Sequence, residues 1–158
     1  MVREQTTDPV LSTKLHRPPV DRNIVHRPHL IARLDQYRDR SATLVSAPAG
    51  YGKSILISSW LEACEDPPAW ISLDKSDNDL RTFMTYLVTA VETLFPNVCR
   101  KTQVLLNTPN LPSIAALSTS MLNELDRIEQ LFIMVLDDYY RIKETTVHKL
   151  ITEILKHP

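Results

Sequence analysis

The two glycines of this chain lie two positions apart, in a segment that ends with a lysine and a serine. Residues 47–54 read APAGYGKS, and Gly50 and Gly52 are the only glycines among the 158 residues. The segment fits the phosphate-binding pattern G-x-x-x-x-G-K-[ST], except that Ala47 replaces the first glycine. In such a loop, backbone N–H groups and the start of the following helix hold phosphates. The segment therefore predicts a site for the phosphates of a nucleotide.

The residue types of this loop predict separate roles. Gly50 and Gly52 would permit positive φ angles and close approach of the backbone to the phosphates. The Lys53 ammonium would reach the β- and γ-phosphates, and the Ser54 hydroxyl would bind Mg²⁺. The predicted cofactor-binding set also includes the remaining loop residues, which are Ala47, Pro48, Ala49 and Tyr51.

A pair of aspartates follows the most apolar run of the chain, Leu131 to Leu136. Alone, Asp137 and Asp138 would be interpreted as solvated carboxylates that end a strand. Ligands of open α/β sheets, however, bind at the carboxyl ends of the strands. Together with the loop upstream, the pair predicts that Asp137 holds Mg²⁺, often through water, and that Asp138 orients or activates the attacking water. The guanine-reading pattern N-K-x-D is absent from the sequence, which favours adenine as the base.

Alternating strand and helix signals predict an α/β fold with a parallel sheet flanked by helices. Three strands are predicted, at Thr43–Ser46, Ala69–Leu73 and Leu131–Asp138. Asn78 is a candidate cap for the third helix. The predicted helices are one that starts at Pro28, one that follows Gly52, and three with apolar faces over residues 80–94, 114–128 and 147–155.

The composition is that of one soluble globular domain. A hydrophobic fraction of 43% argues against disorder, and a net charge of −1 gives no reason to expect binding to nucleic acid or to an acidic membrane. Cys64 and Cys99 are too few for a disulfide framework and are wrongly spaced for zinc. We find no signal peptide and no membrane-spanning run, so a cytoplasmic protein is expected.

Several segments, taken in order, resemble one family. They are LSTKLHRPPV, LVSAPAGYGKS, AWISLDKSDND, LFIMVLDDYYRI and VHKLITEILKHP, which extend from about Leu11 to Pro158. The chain resembles the N-terminal part of the MalT-like, LuxR-type ATP-dependent transcriptional activators, which are P-loop NTPases of the STAND class. The resemblance implies a switch that binds ATP or ADP with Mg²⁺. Nucleotide and inducer together would control self-association, and DNA would be bound only by a C-terminal domain that this chain does not contain.

The resemblance also implies roles for individual residues. The loop would bind phosphates, Asp137 would bind magnesium and Asp138 would serve hydrolysis. Arg27 occupies the place of a family arginine near the nucleotide, although an ordinary surface arginine is the alternative interpretation. Tyr140 stands where the family usually has His, and the sequence suggests no role for it.

Compared with the family, the chain has a proline-rich lead-in and first helix at residues 1–40 and a partial P-loop NTPase domain at 41–158. It ends before the sensor strand, which in such ATPases lies between the strands predicted at Thr43–Ser46 and Leu131–Asp138. These two strands would then pair directly, or exposed edges would remain. We therefore expect at most weak ATPase activity.

Three functions stay open on the sequence alone. The regulatory nucleotide-binding module is favoured by the ordered family segments. A free-standing P-loop ATPase or phosphotransferase would need an acceptor pocket and an arginine-rich lid, and neither is visible after Asp138. An inactive remnant with residual motifs is the third interpretation. No specific affinity for DNA is expected of this chain.

Overall fold

The computed structural model describes residues 10–21 and 23–157, so the expectations for residues 1–9, 22 and 158 lie outside it. The described chain forms helices and strands in alternation. The helices are α1 (Pro28–Gln36), α2 (Lys53–Glu62), α3 (Leu80–Leu94), α4 (Arg100–Leu106), α5 (Ile114–Leu125) and α6 (Thr145–Leu155), and the strands are β1 (Pro68–Ser72) and β2 (Ile133–Asp137). Short 3₁₀ turns lie at Ser12–Leu15, Lys75–Asn78 and Tyr139–Arg141.

The two strands form a parallel sheet with helices on both faces. Their register runs from Pro68 opposite Ile133 to Ser72 opposite Asp137. Successive side chains of β2 point to opposite faces, so Ile133 and Val135 pack with Trp60 of α2 while Met134 and Leu136 join the larger core. An α/β fold with a parallel sheet flanked by helices is therefore confirmed.

The third predicted strand, Thr43–Ser46, is not confirmed. In the described part of the chain the sheet has two strands, and residues 42–48 form no regular element. Leu44, which a buried strand would cover, is 85% exposed. An extended segment becomes a strand only when a neighbour hydrogen-bonds with it. Direct pairing with β2 therefore does not occur, and β2 keeps an open edge.

The main core is built around α3. Its predicted apolar face is confirmed, with Phe83, Met84 and Val91 completely buried. The cap of this helix differs from the prediction, because Asp79 rather than Asn78 accepts the hydrogen bond from the Thr82 amide, at 2.8 Å.

Helix α4 was not predicted, because its capping group is distant in sequence. The Glu124 side chain, only 2% exposed, accepts hydrogen bonds from the Lys101 amide at 2.7 Å and from the Thr102 amide at 3.1 Å. The Thr102 hydroxyl donates to the same carboxylate at 2.6 Å. A carboxylate at a helix start satisfies free N–H groups and opposes the positive end of the dipole. Here it comes from α5 instead of from a residue next to the helix.

The lead-in to α1 is packed on the domain at Lys14. The Lys14 ammonium is 2.5 Å from the carboxylate of Asp77 and 3.2 Å from that of Asp74, and it lies 4.2 Å from the centre of the Tyr86 ring. Lys14 is 7% exposed and Asp77 is fully buried. An ion pair out of water needs such close partners. The segment before α1 is thus fixed to the 3₁₀ turn that follows β1.

No helix of the described chain has the length and apolar character needed to cross a membrane.

Candidate nucleotide site

The APAGYGKS segment turns sharply into α2, as its glycines predict. Gly50 and Gly52 have φ angles of 82° and 73°, which is the left-handed region that other residues rarely adopt. Gly52 is the N-cap of α2, and its carbonyl accepts the Leu56 amide at 2.9 Å. The loop therefore ends where α2 begins, and the first N–H groups of this helix have no partner within it.

Lys53 folds back over this loop. Its ammonium donates to the carbonyl of Ala47 at 2.8 Å and to that of Pro48 at 3.2 Å. These two carbonyls belong to the beginning of the same segment. The Lys53 ammonium consequently lies against the beginning of the loop, at the predicted phosphate site.

The predicted metal ligands come together although they lie 83 positions apart. The Ser54 hydroxyl donates to Oδ1 of Asp137 at 2.9 Å. Ser54 is in the first turn of α2, and Asp137 is the last residue of β2. The Asp138 amide donates to the same carboxylate oxygen at 3.0 Å, which fixes its orientation.

Helix α2, which carries Lys53 and Ser54, is held by side chains on the buried half of the helix. Trp60 donates from Nε1 to the Asp35 carboxylate of α1 at 2.7 Å. The hydroxyl of Ser58 donates to the carbonyl of Pro18 at 2.5 Å. Both side chains are buried. The position of the loop therefore depends on α1 and on the segment before it.

Asp138 begins a tight turn beyond β2. Its φ of 57° is left-handed, and its carboxylate lies 3.4 Å from Nε of Arg141. The hydroxyl of Tyr139 is 2.8 Å from Nδ1 of His148 on α6, and burial raises the pKa of this hydroxyl. Tyr140, the position that departs from the family pattern, is 58% exposed, with the Arg141 guanidinium 5.3 Å from its ring centre.

Arg27 lies on the loop instead of extending into solvent. Its guanidinium donates to the carbonyl of Tyr51 at 2.6 Å. A side chain added at Gly52 would lie 3.8 Å from the same guanidinium. The structure therefore places Arg27 beside the predicted phosphate site, and whether it contacts a nucleotide stays a prediction.

The oxygen atoms brought together here suit Mg²⁺. Magnesium prefers oxygen ligands and is usually held by one or two protein groups, with waters and phosphate oxygens completing six. Ser54 and Asp137 offer a hydroxyl and a carboxylate. Within residues 10–21 and 23–157 no group of three or more His, Cys, Asp or Glu could hold a metal unaided. The set fits a cation that binds together with phosphate.

Sequence reasoning predicted Asn78 as a helix cap and missed its observed role, which is to join the loops after the two strands. Its amide nitrogen donates to the carbonyls of Lys75 at 3.1 Å and Arg141 at 3.0 Å. The amide oxygen accepts the backbone N–H groups of Lys143 at 2.5 Å and Glu144 at 2.9 Å. Three of the four partners are 63 or more positions away, so no local pattern could indicate this role.

Comparison with known proteins identifies relatives over most of the chain. No family model matches it. HTH-type transcriptional regulators named MalT match 148 residues, with 33% identity in Yersinia enterocolitica and 32% in Yersinia pestis and Yersinia pseudotuberculosis. The chain is homologous to part of MalT. The match covers 94% of this chain but only 16% of each regulator.

This homology confirms the resemblance to MalT-like regulators that the ordered segments predicted. The nucleotide chemistry of the loop and of the aspartate pair is not tested by the similarity and stays a prediction.

Proposed function

We propose that this chain binds ATP and ADP together with Mg²⁺ and acts as the nucleotide-binding regulatory module of a MalT-like transcriptional regulator. The observation that carries the proposal is the 2.9 Å hydrogen bond between Ser54 and Asp137. A hydroxyl at the start of the helix after a glycine turn and a carboxylate at the end of a neighbouring strand form the metal-binding pair that P-loop proteins use.

The phosphates of the nucleotide would lie along the loop and the first turn of α2. Lys53 would transfer its hydrogen bonds from the carbonyls of Ala47 and Pro48 to phosphate oxygens. Ser54 and Asp137 would hold Mg²⁺, which when bound neutralises charge on the phosphates. Asp138 would orient a water near the terminal phosphate. Arg27, which donates to the Tyr51 carbonyl, would lie beside the phosphates, and we expect at most weak hydrolysis.

The name of the relatives supports the regulatory half of the proposal. The Yersinia proteins are HTH-type transcriptional regulators, and this chain spans about a sixth of their length, 16%. We therefore propose that DNA binding and self-association belong to a larger protein, with the present segment coupling nucleotide state to them.

Calorimetric titration with ADP and ATP in the presence of Mg²⁺ tests the proposal. Replacing Lys53→Ala should weaken binding at least about tenfold, since the cation nearest the phosphates is lost. Lys149→Ala, an exposed lysine on α6, is the matched control and should bind like the wild type. Equal binding by Lys53→Ala and the wild type would overturn the proposal.

The magnesium pair is tested by repeating the titration with EDTA in place of Mg²⁺. In the wild type, Mg²⁺ should strengthen ADP binding, and Ser54→Ala should lose most of this gain while binding metal-free ADP as before. Ser41→Ala, at an exposed position before the loop, serves as the control. A full Mg²⁺ effect in Ser54→Ala would exclude this hydroxyl as a ligand.

A further inference from the structure

We infer that Asn78 is a positioning residue, which holds the turn that carries Asp138 in its working geometry. The inference rests on the proposed function for the role of Asp138, but its structural part can be tested without a nucleotide. Asn78 ends the 3₁₀ turn after β1, and Asp138 begins the turn after β2. The two residues are linked through Arg141.

The link consists of two contacts made by Arg141. Its backbone carbonyl accepts the Asn78 amide at 3.0 Å, and its side chain lies 3.4 Å from the Asp138 carboxylate. The Arg141 amide also donates to the Asp138 carbonyl at 3.0 Å. Movement of Arg141 would therefore move or release the carboxylate of Asp138.

Asn78 uses its whole hydrogen-bonding capacity in this task. Both amide hydrogens are donated and the oxygen accepts twice. The two acceptor contacts engage the amides of Lys143 and Glu144, just before α6, and one donor contact engages the turn before them. Asn78 thus holds both sides of the connection between Asp138 and α6.

The backbone of the turn takes a conformation that few residues adopt. Asp138 has a left-handed φ of 57°, which aspartate tolerates and which contacts from outside the turn help to hold. The other end of the turn is held by the contact between Tyr139 and His148 at 2.8 Å. Without Asn78 the turn would lose its hydrogen bonds to the loop after β1 and would keep this contact, the burial of Ile142 in the core and its own local contacts.

The side of Asn78 away from Asp138 is itself fixed. Its neighbour Asp77 is fully buried, binds Lys14 at 2.5 Å and accepts the Asp74 amide at 2.7 Å. The 3₁₀ turn that ends at Asn78 is therefore held in place, and the Asn78 side chain connects it to the turn after β2.

Amide hydrogen exchange, followed by NMR on the whole chain without nucleotide, tests the structural part. The informative amides are those of Arg141 and Ile142, which donate within the turn to Asp138 and Tyr139 and do not touch Asn78. In Asn78→Ala we expect these two amides to exchange at least about tenfold faster, while those of α3 keep their rates. Asn110→Ala, an exposed loop asparagine, should match the wild type.

Asn78→Asp gives a second variant of nearly the same shape should Asn78→Ala fold poorly. It keeps the oxygen that accepts from Lys143 and Glu144 but cannot donate to Arg141. We expect protection of the Lys143 and Glu144 amides to be retained while the Arg141 and Ile142 amides lose theirs. Unchanged exchange at Arg141 and Ile142 in both variants would overturn the inference, and so would uniform loss of protection throughout the chain.

A second measurement distinguishes a positioning role of Asn78 from a general destabilisation of the fold. Under single-turnover conditions with Mg-ATP, Asn78→Ala and Asp138→Asn should slow hydrolysis by similar factors, and the double variant should be no slower than Asp138→Asn. The affinity for Mg-ADP should stay within about twofold of the wild type. Multiplying effects in the double variant would contradict the inference. Absence of Mg-ADP binding in the wild type would instead refute the proposed function, and the exchange data alone would then decide the role of Asn78.

Discussion

Single residues in this chain acquire their chemistry from their surroundings, and the two cysteines are a clear case. Cys99 is completely buried, and burial, together with the charges of Glu124 and Glu92, raises the pKa of its thiol to about 12. Cys64 is half-buried, and burial raises the pKa of its thiol as well. The reactive form of a thiol is the thiolate. Cys99 should therefore react more slowly than Cys64, because it is completely buried and its pKa is raised to about 12.

We predict that a thiol reagent such as Ellman's reagent, at about pH 8, labels Cys64 faster than Cys99 in the native protein, and labels both at similar rates in urea. The Cys64→Ser variant should leave almost no fast reaction. Rapid labelling of Cys99 in that variant would show that this part of the core opens readily.

The raised pKa of the Cys99 thiol also predicts how the free energy of unfolding depends on pH in the alkaline range. The Cys99 thiol ionises near pH 8.5 in the unfolded chain, whereas burial in the folded chain raises its pKa to about 12. The unfolded state therefore binds fewer protons in this range, and the free energy of unfolding should fall as pH rises through it. Urea unfolding at several pH values should show a steeper fall for the wild type than for Cys99→Ala.

The residues of the candidate site differ in how far the sequence could predict them. The glycine turn and the positions of Lys53 and Ser54 follow from a short pattern whose geometry is local, and the acidic pair follows from the end of an apolar strand. Their meeting at 2.9 Å follows from the phosphate-binding pattern, in which the serine after the loop and an aspartate at a strand end share the magnesium. Asn78 was misjudged as a helix cap, because its partners are distant in sequence.

Elements in this fold depend on groups supplied from elsewhere in the chain. Helix α4 starts on the Glu124 carboxylate of α5, and α2 is held by Asp35 of α1. Helix propensity and the spacing of apolar residues predicted the helices that bury a long apolar stripe, such as α3. They missed α4, whose seven residues have no local cap.

Removing the Glu124 carboxylate should destabilise the packing of α4 on α5. We predict that Glu124→Ala lowers the free energy of unfolding by about 3 kcal/mol, because buried amide donors lose a charged acceptor. Glu124→Gln keeps one acceptor oxygen and should lose less. Urea denaturation measures both.

Glu129→Ala, at an exposed position beyond the end of α5, is the control and should change stability by less than about 0.5 kcal/mol. If Glu124→Ala unfolded at the same urea concentration as the wild type, water would be replacing the carboxylate at the start of α4.

The molecule as a whole has a sheet that is covered on both faces but open at one edge. β2 pairs with β1 alone among the described strands, and each of its five residues is only partly buried. Its side chains nevertheless pack against cores on both faces. An exposed edge was one of the two outcomes that the sequence left open. A strand without a partner leaves N–H and C=O groups free to pair with another chain.

We predict that the purified chain associates as its concentration rises from about 1 to 100 µM, a range in which exposed edges promote aggregation. Sedimentation velocity would measure this. Leu44→Lys, at the 85% exposed position of the unpaired segment, should reduce association, because charges near a sheet edge oppose pairing.

Val104→Lys provides the comparison, since Val104 is 67% exposed on α4 and lies outside the sheet. It should associate like the wild type. A wild-type chain that stays monomeric over the whole range would mean that the edge is protected in solution.

The left-handed backbone at Asp138 also restricts which amino acids evolution can place there. Glycine, asparagine and aspartate tolerate this conformation, and other side chains resist it. Homologues that lack a carboxylate at this position should therefore carry asparagine or glycine there, and seldom alanine or valine. Comparing these replacements would distinguish loss of the carboxylate from loss of the turn.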